Sequence, residues 1–258
     1  MDIGELFDLH GKTAIVTGGG KGLGAQIAHG LAEAGANVVV CSRDLSACEE
    51  VSKELEEKGI RSLALSCDVT KPEDINQVVD TTMRQFGSID ILVNNSGTSW
   101  RAPTLELQED KWDKVMSVNL KGVFLFSQAV ARVMVKQGSG KIINIASVSG
   151  MGGTSPSLMD TIAYNTSKGG VITFTKDLAV KMAQHNIQVN AIAPGMFPTR
   201  ITKKILEQSA PSLMDQIPAK RFGNDDDLKG AAVFFASKAS DYCVGHVLVM
   251  DGGMTALI

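Results

Sequence analysis

The chain contains 258 residues, 44% of them hydrophobic, which is enough to bury the core of one large α/β domain. Its formal net charge of −3 gives no electrostatic reason to expect nucleic acid or an anionic membrane as a partner. The N-terminus lacks a secretory signal pattern, and no run approaches the roughly 20 apolar residues of a membrane span, so we expect a soluble cytoplasmic protein.

Seven short apolar runs alternate with longer amphipathic segments, a pattern typical of a parallel sheet covered by helices on both faces. The predicted strands are residues 13–17, 37–41, 62–66, 89–93, 141–145, 187–192 and 246–250. Segment 23–34 has helical spacing and ends at Gly35, a suitable C-cap, and Pro72 can open a later helix. Right-handed crossovers then predict one doubly wound α/β domain over residues 1–258.

The four cysteines show neither a Cys-x-x-Cys pair nor the density of a disulfide scaffold, so we expect reduced structural thiols. The four histidines are scattered and share no ligand spacing with cysteines or carboxylates. The sequence therefore predicts no metal site.

A glycine-rich loop follows the first predicted strand, where residues 17–24 read TGGGKGLG. Gly18, Gly22 and Gly24 would let the backbone approach a phosphate closely, and the helix that begins there would offer unpaired N–H groups and a partial positive charge. Strand, glycine loop and helix in this order predict a nucleotide-binding site.

Tyr164 and Lys168 are four residues apart on a predicted helix, so their side chains share one face. A nearby ammonium group stabilises a phenolate, and we expect Lys168 to lower the pKa of Tyr164 from its usual value of about 10. Tyr164 could then exchange a proton near neutral pH. Beside a nucleotide loop, this pair indicates redox catalysis.

Further motifs follow the later strands in order: Asn94-Asn95-Ser96-Gly97 after the fourth, Asn119 on the next helix, Ser147 after the fifth and Pro194-Gly195 after the sixth. Together with the glycine loop and the Tyr164–Lys168 pair, they resemble the short-chain dehydrogenase/reductase family across nearly the whole chain. The resemblance implies a Rossmann-type fold with a seven-stranded parallel sheet and an NAD(P)-dependent enzyme that acts on CH–OH groups.

The resemblance also implies a catalytic tetrad of Asn119, Ser147, Tyr164 and Lys168. Tyr164 would exchange a proton with the carbonyl oxygen while Ser147 holds that oxygen in line. Lys168 would bind the nicotinamide ribose, and Asn119 would hold a water that links Lys168 to solvent. The gap between Ser147 and Tyr164 is a few residues longer than the family usually has, with 152–160 as the insertion, so either Ser147 or Ser149 could face the carbonyl.

The cofactor site implied by the resemblance lies at the carboxyl ends of most of the strands. Its residues are Gly18, Lys21, Gly22, Leu23, Gly24, Ser42, Arg43, Asp68, Val69, Asn95, Gly97, Tyr164, Lys168, Pro194, Gly195 and Thr199. Asp68 resembles the family's adenine-binding aspartate, and Thr199 resembles the residue near the nicotinamide carboxamide or the phosphates.

The end of the second strand bears on the choice between NAD and NADP, because an acidic residue there would hold a ribose 2′-OH and a basic one a 2′-phosphate. Arg43 offers a bidentate donor, Ser42 a hydroxyl, and Lys21 a second positive charge. Asp44 can instead cap the next helix. NADP(H) is therefore favoured, and NAD(H) stays possible.

The substrate site is expected between residues 96–100, the insertion and a lid within residues 195–222, a segment interrupted by prolines. Most side chains expected there are apolar and suit an acyl chain or a bulky ketone, while basic side chains could meet phosphates or a carboxylate outside. The apolar set is Trp100, Met151, Leu158, Met159, Met196, Phe197, Leu213 and Met214, and the basic set is Arg101, Arg200, Lys203 and Lys204.

Two segments, 95–100 and 194–200, resemble 3-oxoacyl thioester reductases, including the type that serves rhamnolipid synthesis, and the whole chain is also similar to gluconate 5-dehydrogenases. We favour thioester reduction, because a small polyhydroxy acid calls for more hydrogen-bonding groups than this pocket provides. The alternative is a sugar acid or polyol dehydrogenase. A regulator that senses NADP without turnover is a third interpretation, which the intact tetrad disfavours.

The helices that carry Asn119 and Tyr164 are rich in apolar residues, and the family usually pairs these helices in tetramers. The residues expected on that surface are Val123, Phe124, Phe126, Val171, Phe174 and Leu178. The end of the chain, 251–258, resembles the family's C-terminal interface segment. We expect a homotetramer that takes a small carbonyl or alcohol as substrate.

Overall fold

The seven predicted strands lie side by side in a computed structural model of the chain, which describes residues 1–156, 159–199, 202 and 213–257. The strands are β1 Thr13–Thr17, β2 Asn37–Ser42, β3 Ser62–Ser66, β4 Ile91–Asn94, β5 Gly140–Ile145, β6 Ile187–Pro194 and β7 Val247–Met250. Their order in the sheet is β3-β2-β1-β4-β5-β6-β7, and each neighbouring pair is parallel. The predicted doubly wound, Rossmann-type sheet is confirmed.

Helices cover both faces of the sheet. They are α1 Ile3–Phe7, α2 Gly22–Glu33, α3 Leu45–Glu56, α4 Pro72–Phe86, α5 Glu109–Met116, α6 Gly122–Gln137, α7 Ile162–Met182 and α8 Lys229–Ala236. A π-helical turn, Ser117–Lys121, joins α5 to α6. As predicted, Pro72 occupies the first turn of α4, where a proline costs no hydrogen bond.

The core has two layers because successive residues of a strand point to opposite faces of the sheet. On β1, Val16 packs in the layer that contains Leu31 of α2 and Phe235 of α8. Its neighbour Ile15 packs in the other layer, with Phe126 of α6. All five residues of β1 are buried, so the first strand lies at the centre of the domain.

The order of the strands reverses between β1 and β4. The chain moves outward from β1 to β3 and then returns to place β4 on the other side of β1, with Val16 paired to Val93. The loops that leave the carboxyl ends of these two strands therefore turn to opposite sides. A crevice between such loops is the usual place for a ligand in an open α/β sheet.

The fourth strand begins two residues later than the sequence predicts. The backbone of Ile89 bonds to the side-chain amide of Gln137, which accepts from the Ile89 N–H and donates to its carbonyl, both at 3.0 Å. An amide side chain from α6 thus takes the place of a neighbouring strand at Ile89. The apolar sequence of a strand does not show whether a neighbouring strand or a side chain bonds to its backbone.

The continuous helical stretch Glu109–Gln137, 29 residues with a mean hydropathy of 1.3 in its most apolar window, is long and apolar enough to cross a membrane. The stretch nevertheless lies against the sheet, where Val115, Val130 and Met134 are buried. Core helices of soluble proteins satisfy the same criterion, so the stretch is weak evidence for a membrane span.

The predicted apolar surface of α6 and α7 is only partly exposed. Val123, Phe126 and Val171 are buried in the core, so the expectation that they lie on the surface is wrong. Phe124 is 44% exposed and meets Phe174 edge to face, with ring centroids 6.3 Å apart. The helical period explains the error, because only one stripe of an apolar helix can face away from the sheet.

Candidate active site

A cleft of about 270 Å³ opens at the crevice between the loops that follow β1 and β4. Loops after β5 and β6 and the start of α7 complete its walls. The lining residues are Gly18, Lys21, Gly22, Leu23, Asn95, Ser96, Gly97, Ile145, Ala146, Ser147, Tyr164, Lys168, Pro194, Gly195, Phe197, Thr199 and Thr202. The fold therefore brings most of the predicted catalytic and cofactor residues into one place.

The glycine loop turns sharply between β1 and α2. Gly18 and Gly22 have φ angles of +64° and +56°, a left-handed conformation that side chains disfavour. A Cβ atom at Gly24 would lie 2.3 Å from the Gly18 carbonyl oxygen, so this position requires glycine for packing. Among the described residues, a Cβ atom at Gly22 would come within 4 Å of Thr199 alone, at 3.9 Å, and would therefore project into the cleft.

The N-terminus of α2 faces the same cleft without a side-chain cap, since Lys21 occupies the N-cap position and makes no capping hydrogen bond. The first N–H groups of a helix have no partners within the helix, and they carry a partial positive charge. This end of α2 has the chemistry of an anion-binding site.

Asn95 joins the glycine loop to the loop after β4. Its side-chain amide donates to the carbonyl oxygens of Thr17 and Gly18, at 3.0 and 3.2 Å. In return the Thr17 hydroxyl accepts from the backbone N–H groups of Asn95 and Ser96, each at 3.0 Å. The two loops therefore form one rigid wall of the cleft.

Tyr164, Ser147 and Lys168 meet at the opposite wall. Tyr164 and Lys168 lie one turn apart on α7, and the ammonium nitrogen of Lys168 is 5.7 Å from the centroid of the Tyr164 ring. Ser147 lies beside them, and hydrogen bonding from it acts to lower the pKa of Tyr164. The Lys168 ammonium donates to the backbone carbonyl of Ile145 at 2.6 Å. The predicted neighbourhood of the phenol and the ammonium group is present.

The prediction that the pKa of Tyr164 is lowered is wrong for the protein alone. Burial raises the pKa of Tyr164 above its usual range, and the hydrogen bond with Ser147 only partly opposes that rise. Burial likewise lowers the pKa of Lys168 to about 8. Desolvation is the main cause of both shifts, since both charged forms lose their hydration.

Asn119 is fully buried in the π-helical turn, and its side chain is fully engaged. It accepts from the Thr98 N–H at 2.8 Å and donates to the Thr98 carbonyl at 2.9 Å and to the Ser167 hydroxyl at 3.0 Å. A Cβ atom at Gly97 would lie 3.6 Å from the Asn119 oxygen and 3.9 Å from the Lys168 nitrogen. Asn119 thus ties the loop after β4 to α7, and its role in holding a water stays a prediction.

Ser147 and Ser149 are both buried, but they have different surroundings. Ser147 lines the cleft together with Tyr164, and its hydroxyl accepts from the Ser149 N–H at 3.1 Å. Ser149 is not among the residues that line the cleft. The geometry favours Ser147 as the serine that faces a substrate.

Arg43, at the end of β2, is exposed, and its positive charge helps to stabilise the nearby Asp68 carboxylate. Burial raises the pKa of Asp68, but hydrogen bonds from Thr70 and the charge of Arg43 bring it below its usual value. Asp68 accepts from the Thr70 N–H and hydroxyl, at 3.0 and 2.8 Å. Its neighbour Val69 is buried and lies against Gly122.

Lys21 and Asp44 form an ion pair at 2.7 Å, which the sequence analysis did not foresee. Asp44 is the N-cap of α3, as predicted, and accepts from the Ala47 N–H. The Ser42 hydroxyl is also engaged locally, since it donates to the Asp44 carbonyl at 3.0 Å. Lys21 is thus paired with Asp44, whereas Arg43, which directly follows β2, is exposed.

The apolar residues expected to line a substrate pocket mostly bury one another. Met159, Met196 and Leu213 form a small core cluster with Ile217, and each is at most 7% exposed. Trp100 is 41% exposed, and its ring faces the Lys111 ammonium at 4.9 Å. The prediction of an apolar acyl pocket is therefore wrong for this cluster, because its side chains contact each other and are withdrawn from the cleft.

Some of the remaining substrate-site predictions lie outside the described residues, namely Leu158, Arg200, Lys203, Lys204 and the middle of the lid segment 195–222. These stay predictions. Among the described residues, Phe197 lines the cleft as expected, Met151 is 51% exposed, and Arg101 is exposed.

Three lining residues were not predicted: Ile145, Ala146 and Thr202. Ile145 ends β5 and Ala146 follows it, so their position after a parallel strand was the available signal. Thr202 hydrogen-bonds to Thr199, and no motif in the sequence marks it.

Comparison with known proteins identifies the family. The sequence pattern of the short chain dehydrogenase family matches residues 12–210. The 5-keto-D-gluconate 5-reductase of Escherichia coli K12 is 41% identical over 257 residues, which cover 98% of this chain and 99% of that protein. The 2-dehydro-3-deoxy-D-gluconate 5-dehydrogenase of the same strain is 43% identical over 255 residues, with 98% of each chain covered.

A solved structure agrees with these relatives. The crystal structure of a gluconate 5-dehydrogenase from Burkholderia cenocepacia J2315, in complex with NADP and tartrate, has a TM-score of 0.94 and 37% identity, with 100% of both chains covered. These comparisons favour the sugar-acid alternative over the 3-oxoacyl thioester reductase that the sequence analysis preferred. The chain belongs to the short chain dehydrogenase family and is an oxidoreductase that acts on CH–OH groups.

Proposed function

We propose that the protein interconverts a keto sugar acid of the 5-ketogluconate class and its secondary alcohol, with NADP(H) as the preferred cofactor. The proposal rests on the relatives, whose names place them in gluconate chemistry. The observation that carries it in this chain is the mutual burial of Met159, Met196 and Leu213. These side chains are withdrawn from the cleft, whose apolar lining consists of Leu23, Ile145, Ala146, Pro194 and Phe197.

Hydroxyl groups supply the hydrogen bonds that a polyhydroxy acid needs. Ser96, Ser147, Tyr164, Thr199 and Thr202 all line the cleft. A site built to bond to substrate hydroxyls rejects analogues that lack them, since its polar groups would be left without partners. This supports the sugar acid over the thioester.

The cleft suits a dinucleotide in its shape and in its charge. Gly22 leaves open the space that a side chain would fill, and the uncapped end of α2 offers N–H groups to a pyrophosphate. Lys168 would hold ribose hydroxyls, and Arg43 and Asp68 would hold the adenosine end. When bound, the cofactor supplies or accepts the hydride.

Side chains of the protein exchange the proton and hold the carbonyl oxygen. Tyr164 donates its proton to that oxygen in reduction and takes it back in oxidation. The Ser147 hydroxyl, which lines the cleft beside Tyr164, keeps the oxygen in line. The Lys168 ammonium stabilises the negative charge that develops on the phenol, because it lies in a site from which water is largely excluded.

Arg43→Ala should raise the KM for NADPH about 10- to 100-fold and leave the KM for NADH nearly unchanged, which is the effect of losing a charged hydrogen bond of about 1.5–3 kcal/mol. The physical reason is that the 2′-phosphate distinguishes the two cofactors and Arg43 is the exposed guanidinium at the end of β2. Steady-state kinetics with both cofactors measure the effect. Arg132→Ala, an exposed arginine on α6, is the control. Tighter binding of NADH than NADPH by the unaltered protein would refute this assignment.

The function itself is tested by initial rates of NADPH and NADH oxidation with 5-ketogluconate and an acetoacetyl thioester at equal concentrations. We expect NADPH with 5-ketogluconate to give the highest kcat/KM. A higher value for the thioester would overturn the sugar-acid proposal and would require the buried cluster to open.

We further propose that the protein is a cytoplasmic homotetramer. The exposed part of Phe124 and its contact with Phe174 support an interface on this side of α6 and α7. Light scattering of the purified protein tests the assembly, and a monomer at micromolar concentration would contradict it.

A further inference from the structure

Ser96, in the loop after β4, lines the cleft with a hydroxyl that bonds to no described residue. Gln26 Oε1 is the one buried polar side-chain atom without a partner in the described part of the chain, so the Ser96 oxygen is open to solvent. By contrast, the Thr199 and Thr202 hydroxyls, which also line the cleft, bond to each other at 3.1 Å. The Ser96 hydroxyl therefore keeps its full capacity to donate to a bound molecule and to accept from it.

The position of Ser96 along the cleft follows from the groups on either side of it. On one side, a Cβ atom at Gly18 in the glycine loop would lie 3.2 Å from the Ser96 Cα atom. On the other side, a Cβ atom at Gly97, the next residue, would lie 3.9 Å from the Lys168 ammonium nitrogen. Ser96 thus lies between the glycine loop, where a pyrophosphate would bind, and Lys168, where the nicotinamide ribose would bind.

The backbone of Ser96 is already fixed before any ligand binds. Its N–H donates to the Thr17 hydroxyl at 3.0 Å, and that hydroxyl also accepts from the N–H of Asn95 at 3.0 Å. Binding through the Ser96 hydroxyl therefore has to order one short side chain and no backbone. The entropy lost on binding is small for such a group, so most of the hydrogen-bond energy can appear as affinity.

We propose that the Ser96 hydroxyl bonds to the dinucleotide where its pyrophosphate joins the ribose of the nicotinamide side. The inference rests on the proposed function for the identity of the ligand, a nicotinamide dinucleotide. NADP(H) and NAD(H) share this part of the molecule, so Ser96 adds affinity for both, whereas Arg43 acts on the 2′-phosphate of NADP(H) alone. One of the five hydroxyls in the cleft is thereby assigned to the cofactor and not to the sugar acid.

Ser96→Ala removes the hydroxyl and keeps the backbone N–H that donates to Thr17. We expect the Kd values of NADPH, NADH and ADP-ribose, measured by titration calorimetry, to rise about tenfold each, which corresponds to one lost hydrogen bond of about 1.4 kcal/mol. The Kd of adenosine 2′,5′-bisphosphate, which lacks the second phosphate and the second ribose of the dinucleotide link, should stay unchanged. Ser99→Ala, in the same loop but outside the lining of the cleft, is the control and should bind all four ligands as the unaltered protein does.

Unchanged Kd values of NADPH, NADH and ADP-ribose in Ser96→Ala would overturn the inference. An equal loss of affinity for adenosine 2′,5′-bisphosphate would also overturn it, because the substitution would then disturb the whole wall. A higher KM for 5-ketogluconate with unchanged cofactor Kd values would assign the hydroxyl to the substrate instead. The titrations need no substrate, so an unaltered protein that binds NADPH but does not reduce 5-ketogluconate would refute the proposed function alone.

Discussion

Tyr164→Phe should lower kcat by about 10³-fold or more, because a positioned general acid contributes about 10² to 10⁴ in rate and no other phenol lines the cleft. The Kd for NADPH should change by less than about threefold, since the ring and its packing are kept and one hydroxyl is removed. Stopped or continuous assays of NADPH oxidation with 5-ketogluconate give kcat, and fluorescence titration of NADPH gives the Kd.

The chain contains one other tyrosine, which makes a matched control. Tyr242 is fully exposed, so Tyr242→Phe should leave both quantities unchanged. If Tyr164→Phe lost cofactor binding together with turnover, the residue would be structural. If turnover survived, a different group would have to supply the proton.

Lys168→Met should lower kcat/KM about 10²- to 10³-fold, the range found when one preorganised donor is removed from a buried site. Methionine keeps an unbranched chain of similar length but cannot donate to the Ile145 carbonyl or carry a charge. Lys176→Met, an exposed lysine on the same helix, is the control. Steady-state kinetics of the two variants separate loss of the buried ammonium from a general effect on α7.

The same variant should change how stability depends on pH. Burial lowers the pKa of Lys168 from 10.5 to about 8 in the folded protein. Between these two values the unfolded chain binds more protons than the folded one, so the free energy of unfolding contributed by this group rises with pH. Below pH 8 the buried ammonium destabilises the fold by its full amount, and above pH 10.5 this cost disappears.

Methionine does not titrate, so the difference in unfolding free energy between the unaltered protein and Lys168→Met should rise across this window by an amount on the order of 3 kcal/mol. Urea denaturation at several pH values between about 7 and 10 measures the difference. A difference that stayed constant with pH would mean that Lys168 keeps its ordinary pKa in the folded protein.

Local sequence patterns predicted the bounds of a strand well where neighbouring strands supply its backbone hydrogen-bond partners. β1 and β3 have the predicted bounds, since both are short apolar runs that end at turn residues. β4 begins later because Gln137, from a distant helix, bonds to Ile89. Such a partner leaves no mark in the strand's own sequence.

The predicted catalytic residues came from the resemblance to the family. Each of them follows a parallel strand or lies on the next helix, and the fold brings those points to one end of the sheet. The substrate preference could not be predicted from the sequence. Met159, Met196 and Leu213 are as apolar in a buried cluster as they would be in an acyl pocket, and only their mutual contacts separate the two arrangements. The preference for the thioester depended on this distinction.

Periodicity, turn chemistry and helical spacing are local properties, and they were enough to predict the fold class, the nucleotide loop and the Tyr164–Lys168 pair. The family was identified from the resemblance of the motifs. Two features depend on the folded chain: the direction of the Tyr164 and Lys168 pKa shifts and the position of Ser147 at the cleft. Each depends on exclusion of water or on contacts between segments that are distant in the chain. Desolvation and packing are set by neighbours in space, which local sequence does not specify.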